Sequence, residues 1–165
     1  MKYLQKGIEL LTSIALVVAG IALLSMMIVV VLDVSLKYLL HQPVPGTLEM
    51  VSYYFMAACA FLPFAFVQKK EEHITMTLAT DWLGKDALRV LVGIVSLVGA
   101  AYMFLFSWSS ALEAIDMTSI GESTSAIYFE ISIWPARWSV PIGTGLMGVW
   151  MLRQSLVCLI GGRSA

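Results

Sequence analysis

Two histidines, His41 and His73, and two cysteines, Cys59 and Cys158, are the residues of this chain best suited to hold a metal, clamp a haem or pass electrons. A b-type haem in a helical bundle needs two axial ligands that face each other. The topology argued below puts His41 and His73 on opposite sides of a membrane, so they cannot share one haem. A dithiol oxidoreductase needs paired, exposed cysteines. Cys59 and Cys158 lie in separate apolar runs with no CxxC and no histidine beside them, and read as small apolar side chains. There is no HExxH and no glycine-rich phosphate loop. The chain therefore reads as a non-enzyme, with no catalytic residue, cofactor or metal.

Transport by the chain alone would need an ionisable group at mid-membrane. The charges stand elsewhere: Glu9, Asp33, Lys37, Glu49, Arg137 and Arg153 all fall at the ends of apolar runs. Those runs dominate the composition. Apolar residues make up 59% of the 165 and charged residues 13%, against roughly 45–50% and about 25% in a soluble domain. The net charge of −1 gives no global field for nucleic acid.

A membrane span needs about 20 mostly apolar residues. Leu10–Leu32 and Val90–Leu112 are each 23 residues without a charge, and Met50–Val67 is 18. Trp138–Leu152 is only 15, but a helix opening at Pro135 and running to about Val157 is long enough, with Arg137 and Arg153 snorkelling at its ends. The reading is an all-α membrane protein, one domain over 1–165, with spans at about 8–34, 47–68, 87–112 and 135–158. The first is read as a retained helix, because no small-x-small cleavage pattern follows it. Gly93, Gly99, Gly143, Gly145 and Gly148 permit close helix contact. Trp108, Trp134, Trp138 and Trp150 read as an interfacial belt.

Lysine and arginine orient the spans. Lys2, Lys6, Lys69, Lys70, Lys85, Arg89, Arg153 and Arg163 fall on one side, eight in all, against Lys37 and Arg137 on the other. Both termini are expected in the cytoplasm. The stretch "QKKEEH" after the second span is then a cytoplasmic anchor. Beyond it, Ile74, Leu78 and Trp82 share one helical stripe and Gly84 is a stop signal, so a short amphipathic helix is expected at the interface over about 73–85. On the outer side, Glu49 and Arg137 open the second and fourth spans at similar depth and are expected to pair. Glu130 or a lipid phosphate is the alternative for Arg137, and Lys37 for Glu49.

Taken in order, these motifs resemble the small membrane (Q) subunit of tripartite ATP-independent periplasmic (TRAP) transporters. "VSLKYLLHQPVPGTLEM" matches the family's basic-aromatic pair, turn and acid at Lys37, Tyr38 and Glu49, with Thr47 and Met50 departing from it. "HITMTLATDWL" is similar to its His-Ile segment at His73, with Thr77 in place of the usual Asp. "ESTSAIYFEISIWPARWSVPIG" resembles the polar stretch and the Pro-x-Gly that open the fourth span, here Pro141 and Gly143. The resemblance implies a non-catalytic inner-membrane subunit. It would scaffold a large multi-span transport (M) subunit that carries the sodium and substrate sites. A periplasmic binding protein would deliver an organic acid, of C4-dicarboxylate or sialic acid type. Glu113, Asp116, Glu122 and Glu130 are candidates for its docking surface, and segment 73–85 for an arm on the inner surface among the lipids. The alternatives are a membrane anchor of a redox complex and a stand-alone small exporter.

Overall fold

Four apolar runs become four long helices in the computed structural model, which describes residues 2–41, 44–71, 85–125 and 130–160. The expected interfacial helix at 73–85, and His73 with it, lies outside the described residues except for Lys85, where the third long helix opens.

The first helix, Lys2–Leu40, has 39 residues and no proline to stop it. At 1.5 Å per residue it is about 58 Å long, nearly twice a hydrocarbon core of about 30 Å. It therefore overshoots the expected 8–34 at both ends. It ends at His41, which takes a left-handed φ of 55°. The Asp33 carboxylate accepts the Val44 N–H at 2.8 Å and ties the connection back to the helix. Gly46, at φ 85°, then turns the chain into the second span.

That second span, Thr47–Lys70, is built from pieces. A single α-turn, Thr47–Glu49, leads into a π-helical segment, Met50–Phe55. Two α-helical segments follow, Met56–Phe61 and Phe64–Glu71. The break between them falls at Pro63, which has no N–H to continue the ladder. The π segment resets the helical register, and the Tyr54 hydroxyl it carries donates to the Ser132 carbonyl across the bundle.

The third helix, Lys85–Ile120, has 36 residues and runs two turns past the expected end at 112. It closes with a Schellman motif: the Glu122 N–H reaches the Met117 carbonyl at 3.0 Å and the Gly121 N–H reaches Thr118 at 3.3 Å. Gly121 supplies the positive φ of 67° that this needs. A short antiparallel hairpin follows, β1 (Ser123–Ser125) against β2 (Glu130–Ser132), with Ser123 opposite Ser132. Pro135 then sits in the first turn of Trp134–Arg137, and Ser139–Ile160 completes the fourth span.

The fourth span is the centre of the bundle. It packs most extensively on the third helix and also against the second, and touches the first only lightly. The first span lies mainly on the second. Its buried stripe is Thr12, Ala15 and Ala19, at i, i+3 and i+7, and it meets Leu62, Ala58 and Leu146. Small side chains suit this contact, since helices in lipid associate by close packing. The closest approach is at Gly143, where an added Cβ would lie 2.1 Å from the Phe61 carbonyl oxygen.

Candidate functional site

The described ion pairs and side-chain-to-side-chain hydrogen bonds of the bundle gather at its two ends. At the end where the third span stops and the fourth begins, Arg137 is the hub. Its Nε and Nη2 donate to the two carboxylate oxygens of Glu122 at 2.5 and 2.7 Å, a bidentate fork. Its Nη1 donates to Glu113 at 3.0 Å. The hydrogen bonds from Arg137 hold the Glu122 carboxyl below the usual carboxylate range, against the opposite pull of partial burial. Beside this cluster the Trp138 indole donates to the Thr118 hydroxyl at 3.2 Å, and Thr118 donates to the Ala114 carbonyl. Together these bonds fasten the hairpin and the start of the fourth span onto the overshooting turns of the third.

The expected pair Glu49–Arg137 is therefore corrected. Each of the three Arg137 guanidinium nitrogens donates to Glu122 or Glu113. The reason is chain order: the hairpin returns Arg137 directly against the helix it has just left, whereas Glu49 starts a span that packs on the first helix. Of the four acidic residues proposed as a docking surface, Glu113 and Glu122 are drawn into this cluster. Asp116 lies exposed on the helix and Glu130 lies exposed on β2.

The opposite end holds a second knot, made where the first span begins and the second and fourth stop. Trp150 is only 2% exposed. Its indole N–H donates to the Thr12 hydroxyl at 2.9 Å, and the Thr12 hydroxyl in turn donates to the Ile8 carbonyl at 2.8 Å. Lys69 and Arg153 each place a cation over the Trp150 ring, 5.5 and 5.1 Å from its centre. Lys69 also lies 3.8 Å from Glu9, and the Gln68 amide donates to Gln154 at 2.8 Å. Trp150 is thus a buried clamp across three spans rather than a member of the interfacial belt. Thr12 in register with Ala15 and Ala19, and Gln68 and Gln154 at the edges of apolar runs, are the sequence signals of this knot.

Among the described residues no group of three or more His, Cys, Asp or Glu side chains could hold a metal. Cys59 sits in the second span with its thiol 3.6 Å from the Ala19 carbonyl. What the geometry provides is a four-span body, tied at both ends and largely apolar between them. Residues 26–161 of the chain match the family model for the DctQ component of tripartite ATP-independent periplasmic transporters. The chain belongs to the DctQ family. Comparison with curated proteins and with solved structures gives no match.

This DctQ chain is accordingly a multi-pass inner-membrane component of a transporter, and its family implies association with the large membrane component and a periplasmic binding protein. The match gives the redox-anchor alternative no support. Of the positions that carried the resemblance, Lys37 and Tyr38 stand exposed on the overshooting end of the first helix. Glu49 is half-buried in the first turn of the second span. Pro141 is buried, and its carbonyl accepts the Ser107 hydroxyl at 2.9 Å. With Gly143 two residues on, this stretch lets the fourth span approach the third and the second together.

Proposed function

We propose that this chain is a non-catalytic scaffold for the large transport subunit, supporting sodium-driven uptake of an organic acid of the C4-dicarboxylate or sialic acid type. The observation that carries this reading is the placement of charge. The apolar runs Leu10–Leu32, Met50–Val67, Val90–Leu112 and Trp138–Leu152 contain no ionisable Asp, Glu, Lys, Arg or His. A body with no Asp, Glu, Lys, Arg or His at mid-depth lacks the charged groups that usually couple an ion to a solute. Its ends are tied by ion pairs and hydrogen bonds, which suits a static partner. The eight-to-two bias of Lys and Arg supports both termini in the cytoplasm. On that orientation the Arg137 cluster faces the periplasm, with Asp116 and Glu130 beside it as candidates for contact with the binding protein. The Lys69–Trp150 knot then stands at the cytoplasmic surface, where its cations meet lipid headgroups.

Reconstitution tests the proposal. Proteoliposomes holding this chain, the large membrane component and the binding protein should take up an organic acid only with an inward sodium gradient. Vesicles holding this chain alone should take up none. Uptake by the chain alone would overturn the scaffold reading.

A further inference from the structure

The third span carries a polar seam on the side turned away from the bundle. Its buried stripe, which includes Gly93, Ser96, Ala100 and Ala114, lies against the fourth span and the turn that leads into it. Roughly half a turn around lie Tyr102, Ser109 and Asp116, at i, i+7 and i+14, all exposed, while Glu113 on the same side is held by Arg137. Tyr102 is 62% exposed and its ring stacks on Phe106, with centres 6.5 Å apart and planes at 17°.

Depth makes Tyr102 informative. It is the thirteenth of the 23 residues in Val90–Leu112. Ten residues separate it from Leu112, about 15 Å along the axis, so its hydroxyl cannot snorkel to the headgroups. The carbonyls of its own helix are taken by the α-helical ladder. Its hydroxyl makes no hydrogen bond among the described residues. Acyl chains offer no acceptor, and an unpaired hydroxyl in hydrocarbon is unfavourable. Ser109 differs, because a serine can bond back to a carbonyl one turn earlier. The first span gives the contrast: from Ile14 to Leu32 its exposed side chains are aliphatic or methionine, as a lipid-facing surface requires.

We infer that the Tyr102–Ser109 face of the third span receives a helix of the large transport subunit, which offers a hydrogen-bond acceptor at mid-depth to the Tyr102 hydroxyl. The first span faces lipid. This assignment rests on the proposed partnership with that subunit, and adds the face through which it is made.

Photo-crosslinking in the co-expressed complex tests it. A benzophenone amino acid replaces Tyr102 in one variant and Ile21, on the first span, in another. The Tyr102 position should give a product at the summed mass of the two subunits, and the Ile21 position should give none. In parallel, Tyr102→Phe should lower the co-purified large subunit several-fold in a harsher detergent, while the melting of the isolated chain stays unchanged. Crosslinking from Ile21 but not from position 102 would overturn the assignment and leave the partnership standing. So would a product from position 102 at twice the mass of this chain, which would mean a second copy on that face. Failure of the unmodified pair to co-purify would overturn the partnership itself, and the assigned face with it.

Discussion

Gly143 offers the sharpest test of how the spans are held together. A methyl group there would sit 2.1 Å from the Phe61 carbonyl oxygen and 2.6 Å from its carbonyl carbon. An ordinary C–H···O contact is about 3.3–3.6 Å, so Gly143→Ala must push the second and fourth spans apart by roughly 1.2 Å. The obstacle is backbone and cannot rotate away. Overpacking costs about 1–3 kcal/mol, and a clash with main chain belongs at the upper end. At about 3 kcal/mol, a chain of this size should melt roughly 6–12 °C lower. Gly99→Ala is the graded control: its Cβ meets the Met151 Cε at 2.5 Å, the far end of a flexible side chain that can swing aside. Gly20→Ala meets nothing within 4 Å and should lose nothing. Melting in detergent followed by size-exclusion chromatography would rank the three. If Gly143→Ala melts with Gly20→Ala, the close second–fourth contact is wrong.

The two end clusters give further expectations. Trp150→Phe keeps an aromatic ring under Lys69 and Arg153 but removes the N–H that meets Thr12, and should destabilise the purified chain by about 1 kcal/mol in the same assay. Glu122→Gln breaks the charged fork to Arg137; the pair is partly exposed, so the loss should be about 1 kcal/mol or less, read as faster protease cleavage near the hairpin. The same pair sets a pH dependence. The folded Glu122 carboxyl titrates below its unfolded value of about 4.3, so its stabilisation is complete above that pH and is lost as the pH falls through the depressed folded value. Hairpin protection should be flat from pH 8 to about 5 and fall below about 4, and the Glu122→Gln chain should lack that fall. A fall that persists in Glu122→Gln would assign it to another group.

The spans were legible because twenty-odd apolar residues without a charge have few other uses. Their true lengths were not. Glu113–Ile120 and the first turns of Lys2–Leu40 are helical but carry charge, so a hydropathy reading stops short of them. The glycines of the third and fourth spans signalled close contact, and the structure puts Gly143 and Gly99 at such contacts. Arg137 was recognisable as a boundary charge, but its partner depends on how a hairpin turns, and span depth alone pointed to Glu49. Trp150 shows the same limit. A tryptophan near a span end is a belt residue by default, and only the packing of Thr12 from a distant span makes it a buried clamp. The π segment at Met50–Phe55 has no sequence mark, since its residues would serve an α-helix equally well.

This DctQ chain works as one part of a larger transporter. The most direct test of that role is affinity purification of the chain from its native membrane in mild detergent, followed by mass spectrometry. A stoichiometric partner should come with it, a much larger hydrophobic protein with many spans. Recovery of the chain alone, or with a coloured redox protein, would contradict it.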